Sequence, residues 1–425
     1  PGGSLSCVDI ITALYFGRMN IDPEEVNKID RDRFVMSKGH SSPAIYATLH
    51  ERGYLIEEEI DGFRKMNSSL QGSPDMLRVS GIDMSTGSLG QGLSAGCGMA
   101  LASKMDELNY NVYVLLGDGE LQEGMIWEAA MFAKQYQLDN LMAIVDMNGL
   151  QIDGSTDEVM SLGSITKKFT SFGWYVIEID GHDFDQIFGA FNIFDKVNSK
   201  PVLVIANTIK GKGVSFMEDE CKWHSQKITD NDYKNAIDAD LSTSTKTDIF
   251  KKVFSERFVD VGIAEQNLIG VSSGIASTGK KVFASSFAVF ETGRAYEVIR
   301  NMTCMANLNV KLCATHAGLM TGPDGATHQS IEDLAIMRVL PNMKVFVPAD
   351  AYETRQIVRA AAEVEGPVYI RMVRDDVENI YTDEYEFEIG KASLLREGSD
   401  LSIVACGPMV RLAIEASDRL RDEGI

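Results

Sequence analysis

The sequence lacks any long hydrophobic run, and this absence excludes several classes of protein. No window approaches the roughly 18 consecutive apolar residues that a membrane-spanning helix requires, although 44% of the 425 residues are hydrophobic. Basic residues are also few, since 40 Lys and Arg against 62 Asp and Glu give a formal net charge of -22. A field of that sign repels nucleic acid and anionic membranes. We therefore expect a soluble protein that binds neither.

Cysteine and several cofactor motifs are scarce or missing. The six cysteines form no CxxC pair and no short metal-ligand spacing, so we expect reduced, mostly buried thiols. No Lys/Arg-led apolar leader with a small-residue cleavage site is present, and we expect a cytoplasmic protein. The GxGxxG order of nicotinamide folds, the GxxxxGK(S/T) phosphate loop and the GxSxG elbow are absent. Dehydrogenase, ATPase and esterase chemistry are thus disfavoured.

The length predicts about 2.8 domains at roughly 150 residues per domain. Short β-branched apolar runs separated by helical stretches indicate parallel sheets that are buried on both faces. A first set of predicted strands lies at 112–116, 141–145, 175–179 and 202–206. A second set lies at 258–261, 282–284, 310–314, 345–347 and 368–370. The polar stretch 218–233 separates the sets, and residues 401–405 and 409–421 predict one further strand and helix.

Polar residues collect directly after these strands. A helical crossover at 121–138 makes the first two strands parallel neighbours, so their carboxyl ends meet and bring Asp118 near Asn148. Gly117 and Gly119 allow close backbone approach there. A carboxylate, an amide oxygen and a backbone carbonyl suit an octahedral cation that keeps positions for diphosphate oxygens. Alone, however, GDG is more often a common turn.

The context of this GDG motif resembles the transketolase family of thiamine-diphosphate enzymes. The motifs follow the order of that family and span nearly the whole chain. They are SKGH (37–40), STGSLGQG (85–92), GDGELQEG (117–124), WH (223–224), GIAEQN (262–267), TH (315–316) and DGATHQ (324–329). The resemblance implies the thiamine-diphosphate-binding fold, with two parallel-sheet α/β domains and the start of a third. We place a diphosphate- and Mg²⁺-binding domain at 1–232, a pyrimidine-binding domain at 233–390 and the third domain from 391 to 425.

The resemblance also implies an activity. It is the reversible transfer of a two-carbon ketol unit from a ketose phosphate to an aldose phosphate, through a carbanion that thiamine diphosphate stabilises, as in the pentose phosphate pathway. The implied cofactors are thiamine diphosphate and Mg²⁺, or another divalent cation such as Ca²⁺ or Mn²⁺. The implied partners are sugar phosphates and a second copy of the chain, in a homodimer whose active sites lie at the subunit interface.

Matching positions supply the expected cofactor contacts. The expected metal ligands are Asp118, Asn148 and the carbonyl of Leu150. Glu265 matches the glutamate that hydrogen-bonds the cofactor's aminopyrimidine, and Leu89 matches the bulky residue that keeps the cofactor bent. The other expected cofactor-binding residues are Gly87, Ser88, Gly117, Gly119, Asp240, Phe287, Phe290, His40 and His224.

Four of the six histidines lie inside the motifs, although an isolated histidine more often has a structural role. By resemblance, His40, His224, His316 and His328 are catalytic together with Glu265. The expected substrate-binding residues are Ser73, Ser244, His316, Asp324, His328 and Arg374. A planar guanidinium such as that of Arg374 suits a sugar phosphate. We expect Lys210 and Lys212 to form a solvated basic loop, with phosphate steering as the less common alternative.

The chain departs from the family pattern at three places. The family's Gly-His-Pro reads GSP at 72–74, so Ser73 either tunes substrate choice or weakens activity. A histidine expected before Pro1 is absent, and the first helix and strand of the second domain are missing between residues 237 and 238. A sheet without its first strand would leave an unpaired edge. We therefore expect that residues are missing from this chain rather than deleted in nature.

Two alternatives stay open. One is a related synthase of the 1-deoxyxylulose-5-phosphate synthase type, which joins pyruvate to an aldehyde. The intact STGSLGQG motif and the two-histidine segment favour a transketolase over it. The other is a catalytically impaired transketolase-like protein that acts by binding, which Ser73 makes conceivable and which the intact Asp118, Asn148 and Glu265 oppose.

Overall fold

The computed structural model of the chain describes residues 2–224, 259–382 and 384–424. The chain divides into two compact units, Pro1–Ala264 and Glu265–Ile425. Each unit has a parallel sheet of its own, which confirms the predicted fold class. The predicted domain boundary at residues 232 and 233 lies outside the described residues, and the predicted domain limits stay predictions.

The first unit contains a five-stranded parallel sheet. Its strands are β1 (Arg33–Met36), β2 (Val112–Gly117), β3 (Leu141–Met147), β6 (Tyr175–Asp180) and β7 (Val202–Asn207), and β4 (Leu150–Gln151) pairs separately with β5 (Gly154–Ser155). The helices are α1 (Gly2–Leu5), α2 (Val8–Gly17), α3 (Ser42–Arg52), α4 (Glu57–Ile60), α5 (Gly92–Met105), α6 (Gly124–Gln135), α7 (Thr156–Met160), α8 (Ile165–Ser171) and α9 (Phe184–Phe194). The strand order is β1-β2-β3-β7-β6. The four predicted strands are confirmed.

The central strand β2 shows why this sheet is buried on both faces. Successive side chains of a strand point to opposite faces. Tyr113 and Leu115 pack into one hydrophobic cluster, which includes residues of α2, α3 and α9. Val112, Val114 and Leu116 pack into the other, with residues of α5, α6 and α8. A continuous apolar run is what a strand covered by helices on both faces requires.

The second unit has a four-stranded parallel sheet in the order β10-β11-β9-β8. Its strands are β8 (Val282–Ala284), β9 (Val310–Ala314), β10 (Lys344–Phe346) and β11 (Val368–Arg371). Its helices are α10 (Glu265–Ser277), α11 (Tyr296–Val298), α12 (Asp333–Arg338), α13 (Ala351–Glu363) and α14 (Met409–Asp422). Ile269, Leu312 and Tyr369 are among the fully buried residues of its core.

Two predicted strands are wrong, one in the second set and the further strand at 401–405. Residues 259–261 have no strand conformation, and position 258 lies outside the described residues. Residues 401–405 are also irregular, and Leu401 and Val404 expose 51% and 92% of their surface. A strand needs a neighbour to pair its backbone groups, and no described strand pairs with either segment. The predicted helix after the second segment is confirmed as α14.

Within the described part of the chain, no helix combines the length and apolar character that crossing a membrane requires. All six cysteines are free thiols. Cys7, Cys97 and Cys304 are buried, whereas Cys406 is exposed.

Candidate active site

In the first unit, the predicted metal ligands meet at the carboxyl ends of β2 and β3. These strands pair in parallel, with Gly117 opposite Asp146. Asp118 follows β2 directly, is 3% exposed, and accepts hydrogen bonds from the backbone amides of Gly119 at 2.8 Å and Gly149 at 2.5 Å. The second of these amides belongs to the residue after Asn148. The predicted proximity of Asp118 to the Asn148 loop is therefore confirmed.

Neighbouring groups fix the orientation of the Asn148 amide. Its Nδ2 donates to Asp146 Oδ2 at 3.2 Å, and its Oδ1 accepts from the backbone amide of Leu150 at 3.2 Å. The amide oxygen thus points toward Leu150, whose own carbonyl accepts a hydrogen bond from Lys210 Nζ at 2.8 Å. Asn148 and Leu150 present oxygen atoms on the same short loop, and their role as metal ligands stays a prediction.

A buried ion pair that the sequence did not predict contacts this loop through Asp146. Lys38 pairs with Asp146, and their side chains are 2% and 0% exposed. Asp146 also accepts from Ser6 Oγ at 2.6 Å and from Thr208 Oγ1. Burial opposes ionisation of Asp146, yet Lys38 and these donors hold its pKa below the ordinary value. Asp146 is therefore an acceptor, which forces the Asn148 amide to turn its NH₂ group inward.

The oxygen atoms of Asp118, Asn148 and Leu150 are suitable ligands for a divalent cation. Burial raises the pKa of Asp118, and the charge of Asp146 adds to the rise. The Asp118 carboxylate accepts from two backbone amides, whereas Asp146 has an ammonium group in contact. A bound cation would therefore stabilise the ionised form of the Asp118 carboxyl group. One carboxylate, one amide oxygen and one backbone carbonyl are the hard oxygen ligands that Mg²⁺ prefers, and Ca²⁺ or Mn²⁺ would accept the same set.

A second buried carboxylate, Glu120, joins the predicted cofactor loops. It accepts from Ser37 Oγ, from the amide of Gly90 at 2.8 Å and from the amide of Gly117 at 3.0 Å. Burial raises its pKa. Three motif loops thus converge on one side chain that sequence reasoning passed over, although it lies inside the GDGELQEG motif.

The STGSLGQG loop approaches the SKGH loop very closely. A Cβ atom on Gly39 would lie 2.7 Å from the backbone nitrogen of Gly87, so only glycine fits at position 39. Gly87 is buried, and Ser88 and Leu89 are half-buried. The predicted cofactor-binding residues of these loops therefore lie next to one another.

Two predicted catalytic histidines also belong to the first unit. The rings of His40 and His224 stack with their centroids 4.8 Å apart and an interplanar angle of 23°. Burial lowers the pKa of His224 well below the ordinary value, and the charges of Lys210 and His40 act in the same direction. His224 is therefore a neutral imidazole. Lys210 itself is 1% exposed, so the expectation of a solvated loop was wrong for this residue.

Hydrogen bonds fix the segment at 72–74, where the sequence differs from the family pattern. The Gly72 carbonyl accepts from Ser42 Oγ at 2.8 Å, the Ser73 carbonyl from Tyr46 at 3.2 Å, and the Pro74 carbonyl from the amide of Thr86 at 3.2 Å. Ser73 is 5% exposed. The segment thus contacts α3 and the start of the STGSLGQG motif, which keeps Ser73 a candidate for substrate contact.

In the second unit, Glu265 begins α10 and is engaged by two side chains. Arg294 Nη1 lies 2.7 Å from Glu265 Oε2, and Ser286 Oγ lies 3.5 Å from Oε1. The Glu265 and Arg294 side chains are 11% and 13% exposed. The ion pair fixes the carboxylate in position. The glutamate was predicted from its motif, whereas its arginine partner was not.

Aromatic and histidine rings cluster beside this glutamate. Phe287 stacks on His316 with centroids 3.8 Å apart at 15°, and is 6.0 Å from Phe290 at 12°. Phe290 meets His328 edge to face at 5.1 Å. The structure therefore brings together two predicted cofactor-binding aromatics and two predicted catalytic histidines.

The predicted substrate-binding residues border the same cluster. Arg374 Nη1 contacts Asp324 Oδ2 at 3.3 Å and donates to the carbonyl of Thr321 at 2.8 Å. Burial lowers the pKa of His316, and Arg374 lowers it further. His316 has a φ of 57°, a left-handed conformation that is costly for a residue with a side chain and is concentrated at functional sites. The predicted Asp240 and Ser244 lie outside the described residues.

The structure also reveals Glu291, one residue after Phe290, which sequence reasoning missed. It is 0% exposed, and neither carboxylate oxygen has a hydrogen-bond partner in the described part of the chain. Burial raises its pKa well above the ordinary value. Burial therefore favours the neutral, protonated form of Glu291. The surrounding segment, SFAVFETGR, contains no motif that would have indicated a buried acid.

The two parallel sheets, with carboxylate and other polar side chains collected beyond the carboxyl ends of their strands, define an α/β protein of the kind that binds ligands at that edge of a sheet. Two family models match the chain. One is described as "Transketolase, thiamine diphosphate binding domain" and matches residues 1–249. The other is described as "Transketolase, pyrimidine binding domain" and matches residues 232–379. The chain belongs to the transketolase family.

Individual relatives agree with this assignment. The chain is 33% identical over 496 aligned positions to transketolase from Homo sapiens, covering 100% of this chain and 79% of the human protein. It is 50% identical over 236 residues to one of the component chains of apulose-4-phosphate transketolase from Phocaeicola vulgatus, covering 56% of this chain and 84% of that protein. The crystal structure of transketolase from Campylobacter jejuni shares the fold with a TM-score of 0.55 and 24% identity, covering 100% of this chain and 83% of that chain.

Proposed function

We propose that the protein transfers a two-carbon ketol unit from a ketose phosphate to an aldose phosphate, using thiamine diphosphate and Mg²⁺. The observation that carries this proposal is the convergence of Glu265, Phe287, Phe290, His316 and His328 in one unit. This glutamate with aromatic and imidazole neighbours suits a bound pyrimidine next to a reacting carbonyl group. The oxygen-ligand loop of the first unit supports the same interpretation, because it suits the metal-bound diphosphate end of that cofactor.

The chain's own residues have distinct parts in this reaction. When bound, thiamine diphosphate supplies an electron sink for breaking a carbon–carbon bond next to a carbonyl group. Asp118, Asn148 and the Leu150 carbonyl would hold the cation. Glu265 would hold the pyrimidine through a hydrogen bond from or to its carboxyl group, and the faces of Phe287 and Phe290 would hold that ring and exclude water.

The substrate is held by polar groups of the second unit. Arg374 binds the sugar phosphate with its guanidinium, and Asp324 accepts hydrogen bonds from sugar hydroxyls. His316 donates to oxygens of the donor sugar. His328 takes the proton from the donor hydroxyl as the bond beside it breaks, and returns a proton to the acceptor.

A coupled assay tests the activity. Purified protein is given a ketose phosphate donor and several aldose phosphate acceptors, with and without thiamine diphosphate and Mg²⁺. We expect product only when both cofactors are present, and loss of product in Glu265→Gln with the circular dichroism spectrum retained. Release of CO₂ from pyruvate would instead support the synthase alternative. A folded, cofactor-binding protein that is inactive with every donor would support the impaired binding protein.

Apulose 4-phosphate is a second candidate substrate. The observation that favours it is the 50% identity, over 236 residues or 56% of this chain, to one component chain of the apulose-4-phosphate transketolase of Phocaeicola vulgatus. Ser73, which replaces the family histidine, is where substrate choice would differ. The assay therefore includes apulose 4-phosphate as a donor, and a higher kcat/KM for it than for unbranched ketose phosphates would establish this specificity.

The proposed homodimer has active sites shared between subunits, and mixing inactive variants tests this arrangement. Asp118→Asn inactivates the metal half and Glu265→Gln inactivates the pyrimidine half. If Asp118 of one protomer works with Glu265 of the other, re-equilibrated mixtures regain activity, because each mixed dimer contains one intact site. Equal mixing should restore about a quarter of wild-type activity. No recovery, despite subunit exchange shown by differential labelling, would contradict shared sites.

A further inference from the structure

Lys210 is a buried cation that the motifs did not assign. It follows β7 by three residues, and its side chain is 1% exposed. A Cβ atom on Gly2 would lie 3.1 Å from Lys210 Cγ, and the amide of Gly211 donates to the carbonyl of Gly2 at 3.0 Å. The loop of Lys210 is thus packed against α1, which fixes where the ammonium group lies.

The ammonium group donates to two groups at once. Lys210 Nζ lies 2.8 Å from the carbonyl of Leu150 and 2.9 Å from Nδ1 of His224. The first contact reaches the predicted metal loop, and the second reaches a predicted catalytic histidine. Lys210 therefore joins the two parts of the first unit's site.

The imidazole of His224 is held in place from several sides. His224 ends the helical turn Cys221–His224, and the preceding residue, Trp223, is fully buried and donates from Nε1 to the carbonyl of Phe216 at 3.0 Å. The ring of His40 stacks against that of His224 at 4.8 Å. The stack fixes the plane of the ring but not which edge faces Lys210. A 180° flip about χ2 would place Cδ2 instead of Nδ1 against the ammonium group and lose the 2.9 Å contact, so that contact defines which nitrogen faces Lys210.

The chemistry of this contact determines the tautomer. Burial lowers the pKa of Lys210 to about 8, so below that pH its amine is an ammonium group. An ammonium group has three donors and no acceptor, so the nitrogen that faces it must accept. In a neutral imidazole one nitrogen accepts and the other carries the hydrogen. An Nδ1 that accepts from Lys210 carries no hydrogen, so the ring is neutral, in agreement with the lowered pKa of His224. An accepting Nδ1 then leaves the hydrogen on Nε2.

We propose that Lys210 is a positioning residue that holds His224 as the Nε2–H tautomer, so that this histidine offers a hydrogen-bond donor to oxygens of the bound ligands. The inference deepens the proposed function and rests on it for the identity of those ligands. A donor at Nε2 suits phosphate oxygens and sugar hydroxyls, whereas the opposite tautomer would present a lone pair to them. The contact with Leu150 means that the same side chain also steadies the carbonyl of the metal loop.

The tautomer is measured directly by NMR on the full chain labelled with ¹⁵N-histidine, in the absence of substrate. The His224 signals are assigned from their loss in His224→Gln. We expect an unprotonated Nδ1 and a protonated Nε2 in the wild type. A protonated Nδ1, alone or with Nε2, would overturn the proposal without any variant, and the measurement does not depend on turnover. A failure of the ketol-transfer assay is thus distinguishable from a failure of this inference.

Variants test whether Lys210 is the cause. Lys210→Met should lose the single-tautomer pattern and show a mixture, whereas Lys210→Gln, whose amide can still donate to Nδ1, should keep Nε2–H. The matched control is Lys212→Met, since Lys212 is two residues away, 39% exposed and 3.9 Å from Glu218. It should leave the His224 signals unchanged. An unchanged tautomer in a folded Lys210→Met protein would show that Lys210 does not set it.

Discussion

The guanidinium of Arg294 lies 2.7 Å from the carboxylate of Glu265, and neither side chain exposes more than 13% of its surface. Arg294 ends the π-helical segment Phe290–Arg294, which begins with one of the two aromatics of the candidate site. The ion pair therefore ties the glutamate at the start of α10 to the segment that presents the aromatic ring. Disturbing either residue should change both the stability of the second unit and the position of Glu265.

A double-mutant cycle measures this coupling. Arg294→Met removes one partner of a largely buried pair, and we expect a loss of about 3 kcal/mol in the free energy of unfolding. The same change in a Glu265→Gln background should cost less by about 1–3 kcal/mol, because the charge that Arg294 compensates is already gone. Urea unfolding monitored by circular dichroism gives both values. The control is Arg300→Met, because Arg300 is exposed, and it should change the free energy of unfolding by less than about 0.5 kcal/mol. If the losses of the Arg294 and Glu265 variants are additive, the pair contributes no coupling.

The buried pair of Lys38 and Asp146 predicts a larger effect in the first unit. Burial alone would lower the pKa of Lys38, but the charge of Asp146 raises it above the ordinary value, so the ammonium form is retained. Lys38→Met leaves the fully buried carboxylate without its cation, and we expect a loss of about 3–5 kcal/mol. Lys28→Met is the control, because Lys28 is exposed and its ion pair with Glu25 spans 3.6 Å. Equal unfolding midpoints for the two variants would contradict a structural role for the pair.

The sequence predicted the strands that have a clear apolar pattern and missed one that does not. Strands β2 and β3 were predictable because short, uninterrupted apolar runs are required when helices cover both faces of a sheet. Strand β1 was missed, since it has only four residues, begins with Arg33 and lies among charged residues. The apolar segment 401–405 was predicted as a strand, yet pairing is a property of neighbours rather than of the segment itself. The local apolar pattern identifies candidate strands, and the neighbouring strands in the fold decide which candidates pair.

The candidate site shows the same division. Asp118 and Glu265 were predicted because their motifs resemble a known family. Asp146 was missed and Lys210 was misjudged, since Asp146 accepts a hydrogen bond from Ser6 and Lys210 packs against Gly2, and both of these residues are distant in sequence. Residues that touch ligands carry a local signature, whereas residues that position them depend on packing that only the structure supplies.

Binding of the proposed cofactors predicts ligand-dependent stabilisation. Thiamine diphosphate with Mg²⁺ at about 100 times the Kd should stabilise the folded state by about 2.7 kcal/mol, seen as a higher melting temperature in differential scanning fluorimetry. Addition of EDTA should reverse the shift. Asp118→Asn should abolish most of it, because the cation loses its charged ligand. Asp106→Asn, after the end of α5, should retain the full shift, and a wild-type protein without any shift would argue against cofactor binding.

The neutral state of Glu291 predicts how stability depends on pH. Burial raises the pKa of this carboxyl in the folded chain, while in the unfolded chain it is about 4.3. Between these values the folded state holds a proton that the unfolded state has released. The contribution of Glu291 is therefore complete below about pH 4.3, and it declines by up to about 1.4 kcal/mol for each pH unit until the folded-state pKa is reached.

Glu291→Gln should remove this decline, because a glutamine keeps the shape of the neutral acid but has no proton to lose. We expect the free energy of unfolding of the variant to fall less steeply than that of the wild type between about pH 5 and pH 8, so that the variant becomes the more stable protein at the upper end. Urea titrations at several pH values measure the two slopes. Glu297→Gln is the control, because Glu297 is exposed in the neighbouring helix α11, and it should follow the wild-type slope. Parallel curves for Glu291→Gln and the wild type would show that Glu291 is ionised in the folded chain.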